Sequence, residues 1–305
     1  MISEGCRLCP RECLADRKRG AAGYCKVTGS GIRAARAALH FWEEPCISGT
    51  VGSGTIFFSG CTLRCVYCQN REISAGQMGI EISIERLVEI FFELQKKGAA
   101  NINFVTPDHY TDQIAEAVRL AKKQGFSLPF VYNCSGYEKT ETLQMLEGLI
   151  DIYLTDFKYM KEETARRYSK AANYPETVKA ALKEMVRQQP QPEFDLDGMM
   201  KKGVIVRHLL LPAHRKEGEQ IVEYVYNNYG SQVYLSLMSQ YTPLEGLEDY
   251  PEINRRITKR EYERFVDYVL SLGIEQAFVQ ERESVGAEYI PAFEGEGILP
   301  DGMKC

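Results

Sequence analysis

Short runs of apolar, β-branched and aromatic residues recur along the chain at 55–58, 102–105, 129–132, 152–155, 204–210, 232–237 and 277–280, and each is short enough to read as a strand. Between most of them the apolar period lengthens to that of a helix. Ile84, Leu87, Val88 and Phe91 share one face before a Lys96-Lys97-Gly98 stop signal, and Ile114, Ala117, Val118 and Ala121 repeat the pattern. Pro175 opens a third helix with Val178, Ala181, Leu182, Met185 and Val186 inward, and Phe265, Tyr268, Val269 and Leu272 mark a late one. Strands alternating with helices predict an α/β fold of parallel strands joined by crossover helices, which periodicity alone does not assign to an open sheet or a barrel. Residues 188–198, rich in Pro, Gln and acid, read as a surface excursion, and residues 69–83 read as passing directly into a helix.

The 305 residues, 44% hydrophobic and 26% charged, fit a folded globular chain and disfavour disordered or low-complexity classes. No apolar run approaches the roughly 18 residues of a membrane span, and the opening MISEGCRLCPREC lacks the apolar core of a secretory signal. A cytoplasmic protein is expected. The net charge of −5 argues against a whole-chain nucleic-acid binder. It conceals an asymmetry, because Arg7, Arg11, Arg17, Lys18, Arg19, Lys26, Arg33 and Arg36 outnumber three acids and give the first 36 residues a charge of +5. The ten cysteines are equally uneven, with eight in the first 68 positions, a clustering that in a reducing compartment points to metal or redox chemistry.

Parallel α/β folds hold ligands just beyond the carboxyl ends of their strands. The chain places Ser59, Gly60 and Cys61 after the first run, Thr106, Pro107, Asp108 and His109 after the second, and Asn133, Ser135 and Gly136 after the third. Asp156 and Lys158 follow the fourth, His214 the fifth, and Gln240 and Tyr241 the sixth. Six polar strand ends suit an extended polar ligand. Asp156 and Lys158 share one side of an extended chain, as an ion pair or as ligand contacts, whereas Arg207 and His208 alternate, so only one of them faces the interior. His109 and His214 are candidate cavity acids or bases.

The sharpest signal is Cys61-x-x-x-Cys65-x-x-Cys68, three thiols in one loop after the first strand. Zinc normally completes a tetrahedron with a fourth protein ligand, whereas a cubane iron–sulfur cluster accepts three cysteines and leaves one iron open. A second group, Cys6, Cys9, Cys13 and Cys25, has the four thiols of a closed site, and its spacing fits structural zinc, an auxiliary iron–sulfur cluster or free thiols alike. Cys46 reads as a neighbour of either site or as apolar filler, Cys134 as core packing and Cys305 as a mobile terminal thiol.

The CxxxCxxC motif with Tyr67 before its last cysteine resembles the cluster loop of the radical S-adenosylmethionine (radical SAM) superfamily. The runs GTIFFSGCTLRCVYCQN, DFKYM and IVRHLLLP are most similar to homologues of pyruvate formate-lyase activating enzyme, over roughly residues 50–245 and more weakly through FVQERE. The resemblance implies a partial (β/α)6 barrel of the TIM type over residues 51–245, between a Cys-rich extension (1–50) and a C-terminal extension (246–305) that packs on the barrel and includes the seventh run. It implies a [4Fe–4S] cluster on Cys61, Cys65 and Cys68. S-adenosylmethionine would chelate the open iron and be cleaved reductively to a 5′-deoxyadenosyl radical that abstracts hydrogen from substrate. By family position Tyr67 lies beside the adenine, while Thr106 and Pro107 stand where many relatives carry a Gly-Gly-Glu-Pro motif for the methionine amino group. That glutamate is missing here. Asn133, Ser135, Asp156 and Lys158 are the remaining cofactor candidates.

The resemblance further implies an electron donor such as a flavodoxin or ferredoxin, for which the basic head offers a surface, and a protein or peptide as one substrate class. The ferredoxin-like insertion that brings auxiliary clusters to some activating enzymes is absent, so an oxidoreductase of the radical type is better supported than glycyl-radical installation. Two other classes remain open from sequence: a zinc protein using both cysteine groups structurally, and an iron–sulfur electron-transfer or nucleic-acid adaptor that never cleaves S-adenosylmethionine.

Overall fold

The computed structural model of the chain describes residues 5–29, 31–76, 78–279 and 291–300; Cys305 and residues 280–283 of the FVQERE tail fall outside them. β1 (Ile32–His40) pairs antiparallel with β2 (Ser53–Phe58) and with the short β3 (Ile80–Ile82). From β2 the sheet continues in parallel through β4 (Ile102–Val105), β5 (Phe130–Cys134) and β6 (Ile152–Asp156), while β7 (Glu193–Phe194) is a two-residue antiparallel partner of the next strand. β8 (Met200–Leu209), β9 (Val233–Met238) and β10 (Ala277–Val279) complete it, in the spatial order β10-β9-β8-β6-β5-β4-β2-β1-β3. All seven expected runs are the parallel strands. The sheet does not close, so the architecture is the partial barrel that the resemblance implies.

Helices fill the crossovers. α1 (Pro45–Ser48) precedes β2, and α2 (Arg71–Ser74) and α3 (Ile84–Lys96) lie between β2 and β4. α4 (Thr111–Lys123) and α5 (Thr140–Gln144) follow in the next two crossovers, then α6 (Glu162–Ser169) and α7 (Tyr174–Gln188) before β8, α8 (Arg215–Tyr229) before β9 and α9 (Lys259–Ser271) before β10. The segment 69–83 therefore does not pass straight into a helix: it makes α2 and the edge strand β3 first. α3 then starts behind Ser83, whose side chain accepts from the Arg86 amide at 3.2 Å. The excursion at 188–198 is exposed around β7.

β4 and β5 are buried on both faces, because helices and a cluster of rings cover one side and Val131 packs with Cys46, Ile47 and Ile205 on the other. Phe104 stacks on Phe130 at 5.7 Å, and Phe91 and Phe126 close around them. The C-terminal region meets both ends of the sheet. β10 extends it beside β9, whereas residues 291–300 lie along β1, with Ala37 N donating to Glu296 O at 2.8 Å and Phe293 against the Phe57 ring.

Two polar features hold elements to the barrel. Glu217 on α8, 4% exposed, accepts from the backbone amides of Met160 and Lys161 at 2.8 and 2.9 Å and from Thr164 Oγ1 at 2.8 Å. It thus caps α6 from another helix, because Lys161 at the N-cap position makes no side-chain cap bond. Between the head and the barrel, Asp108, Cys134 and Glu138 are all buried, with one donor atom from each lying within 4.8 Å of the others. Burial pushes the Asp108 carboxyl up to about 6, and burial together with Asp108 drives Glu138 well above its usual range, so the pair shares a proton.

Glu217→Leu is expected to cost about 2–4 kcal/mol in urea denaturation, because three donors lose a charged acceptor, and Glu217→Gln, which keeps one acceptor, less. For Asp108 the folded group binds its proton more tightly than the unfolded one, so its contribution to stability declines as pH rises from about 4 to 6 and its penalty is fully present above that range. Asp108→Asn should therefore stabilise the protein at pH 7.5 by about 1–3 kcal/mol and bring no gain at pH 4. A loss of stability at pH 7.5 would instead show that the carboxylates hold a cation.

Candidate functional site

β2 delivers the chain to Gly60, which turns at φ +90°, where a side chain would be strained; a Cβ there would also stand 2.6 Å from Cys25 O and from Val27 Cγ2. Glycine thus lets the Cys-rich head lie directly on the loop that follows. That loop is held from several sides. Gly60 N donates to Ile73 O at 2.8 Å and Val66 N to Tyr168 O at 2.9 Å. The Arg11 guanidinium reaches from the head to Thr62 O at 2.9 Å, Ser169 O at 2.8 Å and Lys170 O, stacking on the Tyr24 ring at 3.9 Å. One side chain thereby ties head, loop and the end of α6 together.

The loop presents the thiols of Cys61, Cys65 and Cys68, each partly exposed. Cys61 Sγ accepts from the backbone amides of Leu63 and Arg64, both at 3.4 Å, and Cys65 Sγ accepts from Ser169 Oγ at 3.0 Å. Burial, then the neighbouring Cys68 and Cys65 sulfurs, raises the Cys61 thiol; burial and Cys65 push Cys68 up to about 11, with Lys158 opposing. Three converging sulfurs that repel one another as thiolates, with donors already aimed at two of them, are a donor set for a cationic iron–sulfur core. A hydrogen-bonded chain continues behind Ser169: its hydroxyl lies 2.7 Å from Tyr159 OH, which lies 2.7 Å from Tyr67 OH.

Beside the loop a cavity of about 600 Å³ opens, with Gln69 and Asn70 on its wall. Its floor is a buried charge network. Arg207 on β8 donates from Nε to Asp156 Oδ1 at 2.9 Å, from one terminal nitrogen to Glu43 Oε2 at 3.2 Å and from the other to Asn133 Oδ1. Asn103 and Asn133 donate to Glu43 Oε1 at 3.1 and 3.2 Å, and Lys158 Nζ sits 2.6 Å from Asp156 Oδ2. Burial lowers the Lys158 ammonium, but Asp156 and Cys65 outweigh it and raise the group, so it stays charged. Phe57, Val105 and Phe278 make apolar walls, and Phe41 and Trp42, 48% and 61% exposed, stand at the rim.

The structure brings Asn133, Asp156 and Lys158 together as expected, the last two as a direct ion pair. Arg207 is the member of its strand pair that faces the cavity, while His208 packs on Phe265 with Nδ1 at 2.8 Å from Phe157 O. Thr106 follows β4 in a left-handed backbone (φ +58°), with Pro107 buried next to it. Other candidates lie elsewhere. The Tyr67 ring is buried among Tyr159, Tyr168 and Tyr241, and Ser135 bonds Glu138 from both N and Oγ. His109 does not line the cavity: Nε2 lies 2.7 Å from Ser59 O, and burial pushes the ring down to about 3, which keeps it neutral. His214 contacts Tyr168 OH at 2.8 Å and Glu217, also away from the main cavity.

Glu43, Asn103, Arg11, Ser169 and Glu138 were not singled out from sequence. Only Glu43 left a signal, as one of two adjacent acids ahead of Pro45 in an otherwise apolar stretch. In the head, Arg11 and Arg17 are committed internally, the latter to His109 O at 2.8 Å, and Arg36 pairs with Glu296 at 2.7 Å. The exposed basic surface of the head therefore reduces to Arg7, Lys18, Arg19 and Lys26. Cys46 is apolar filler beneath the sheet, against Ile47, Val131 and Ile205.

An uncharacterized protein of Methanocaldococcus jannaschii is 29% identical over 274 residues, covering 87% of this chain and 74% of that protein. Among solved structures, SuiB of Streptococcus suis bound to S-adenosylmethionine matches with a TM-score of 0.49 at 12% identity, over 72% of this chain and 48% of that one. The hydrogenase maturase HydG of Carboxydothermus hydrogenoformans matches with a TM-score of 0.49 at 13% identity, over 72% and 50%. A domain of pyruvate-formate lyase-activating enzyme from Bacteroides vulgatus gives 0.42 at 10%, over 60% of this chain and all of that domain. The chain thus spans about half the length of the SuiB and HydG chains. The family model of the Radical SAM superfamily matches residues 55–194, from β2 with its three-cysteine loop through β7.

Proposed function

We propose that the chain is a radical enzyme in which a [4Fe–4S] cluster on Cys61, Cys65 and Cys68 supplies one electron for reductive cleavage of S-adenosylmethionine, giving a 5′-deoxyadenosyl radical for hydrogen abstraction. The observation that carries this reading is the convergence of three thiols in one loop whose continuation, Gln69 and Asn70, forms part of the wall of a cavity large enough for a nucleoside-sized ligand. Lys158, fixed by Asp156, keeps a positive charge beside the Cys65 and Cys68 sulfurs. Asn133, Arg207 and Glu43 offer fixed hydrogen-bonding groups for the polar part of the ligand, and Phe57, Val105 and Phe278 exclude water from its apolar face. Thr106 and Pro107, where the chain turns at the end of β4, stand in the place of the missing glutamate.

We assign a peptide or protein as the hydrogen donor, supported by the exposed Phe41 and Trp42 at the cavity rim; an activase-like role is one instance of that class. The reductant is a low-potential electron carrier such as a flavodoxin or ferredoxin, which the exposed Arg7, Lys18, Arg19 and Lys26 would receive through an acidic face. No helix among the described residues is long and apolar enough to cross a membrane, and the reading puts the protein in the cytoplasm, where thiols stay reduced.

Anaerobically reconstituted protein with dithionite and S-adenosylmethionine is expected to release 5′-deoxyadenosine, and Cys65→Ala should lose the cluster iron and at least about 100-fold of that yield. Nucleoside formation that survives Cys65→Ala, or zinc in place of iron at this loop, would overturn the reading. Ser169→Ala should keep its iron but shift the reduction potential to a more negative value in an EPR-monitored titration, because a donor to the Cys65 sulfur is lost. An unchanged potential would show that the hydroxyl serves only the tyrosine chain.

A further inference from the structure

The head is built around four thiols that the proposed cleavage does not use. Cys6 N donates to Ala15 O and Leu14 N to Cys6 O, both at 3.1 Å, which folds residues 6–15 into a closed loop. A turn from Gly23 to Lys26 brings Cys25 back to it. Gly23 lies between two of the sulfurs: a Cβ there would stand 3.1 Å from Cys13 Sγ and 3.4 Å from Cys25 Sγ. The buried Cys9 thiol, pushed up to about 12 chiefly by burial, interacts with Cys25 and Cys6, and Cys25 interacts with Cys6 and Cys13. Cys13 and Cys25 thus flank the space that Gly23 leaves open, and Cys6 and Cys9 lie within electrostatic reach of Cys25.

The spread of these sulfurs suits a cubane better than a single ion. A tetrahedral zinc site with bonds of roughly 2.3 Å holds its thiolates about 3.8 Å apart. Among the described residues no three head thiols lie within 4.8 Å of one another, and the same is true of Cys61, Cys65 and Cys68. A cubane, which takes each cysteine at a separate iron, needs the wider spacing. The placement also runs in one direction. Cys13 is exposed, whereas Cys25 is buried at the inner end, its carbonyl against Gly60, the residue before Cys61. Tyr24 OH donates to Leu63 O at 3.5 Å and Arg11 to Thr62 O, so the head touches the catalytic loop at successive positions.

We propose that Cys6, Cys9, Cys13 and Cys25 hold a second [4Fe–4S] cluster that relays single electrons from an external low-potential protein donor to the site at Cys61, Cys65 and Cys68. The donor is oxidised by one electron as the head cluster is reduced, and the head cluster is reoxidised as the electron passes inward. The relay rests on the function proposed above; the presence of the second cluster does not.

The test uses the full chain purified and reconstituted without oxygen, with iron, sulfide and zinc quantified and the dithionite-reduced state followed by EPR. The wild type should carry about eight irons, and both Cys61→Ala/Cys65→Ala/Cys68→Ala and Cys6→Ala/Cys9→Ala about four, each variant with its own reduced-cluster signal. In the fully reduced wild type the two spins should broaden and relax one another, and that interaction should vanish in either variant. Circular dichroism and protection of the remaining head cysteines from alkylation in the triple variant separate loss of metal from loss of fold. Zinc at one per chain in the triple variant, or a triple variant that folds without iron, overturns the second cluster and leaves the proposed function standing. Undiminished iron in the triple variant sinks the proposed function instead, and two clusters without magnetic interaction overturn the relay.

Discussion

Half-buried thiols crowded into one loop are the constraint around which the rest of the molecule is arranged. Burial raises Cys61 and Cys68, and the Cys65 sulfur raises both further, so these two favour the neutral thiol until positive charge is supplied. The protein supplies part of it through Lys158. That ammonium is itself buried and keeps its proton because Asp156 lies 2.6 Å away. Asp156 is held below the usual carboxylate range despite its burial, because Arg207 and Lys158 outweigh desolvation, and Arg207 is balanced in turn by Glu43. Compensation therefore runs from the sulfurs across the cavity floor to a residue beyond β1.

Such a network is a poor device for stability alone. Two charges taken from water regain by mutual attraction about what desolvation cost, and an apolar floor of equal volume would hold the strands at least as well. What the network provides is fixed orientation. Arg207 is bonded to three side chains, so it cannot swing away when a ligand enters, and Asn103 and Asn133 each place an amide against Glu43. A cavity lined by groups already oriented pays little further entropy on binding. The elements that contribute, β4, β5, β6, β8 and the turn after β1, meet only in the finished sheet.

The seven parallel strands were legible in sequence because strands covered on both faces must be nearly continuous apolar runs, as in Ile-Asn-Phe-Val and Phe-Val-Tyr-Asn-Cys. β1 was not. Its Ile-Arg-Ala-Ala-Arg-Ala-Ala-Leu-His has few β-formers, and it is a strand because β2 and residues 291–300 pair along it. Likewise the thiols announce themselves by fixed local spacing, which no periodic element imitates. Glu43 and Arg11 carry no such mark: each is a single polar residue whose role comes from contacts with positions more than 50 residues away, Arg207 in one case and Thr62 with Ser169 in the other. His109 misled for the opposite reason. Position after a strand suggests a ligand contact, but the ring is spent on Ser59 O and on packing against Tyr110.

The buried acids give the two thiol groups a common neighbour. Asp108 acts on Cys9 in the head and on Cys61 in the three-cysteine loop, and in both cases its negative charge raises the thiol. It is anchored to that loop through Thr62 Oγ1 at 3.2 Å and shares its proton with Glu138. Burial raises both carboxyls and Asp108 raises Glu138 further, so the shared proton spares this interface the cost of two adjacent negative charges.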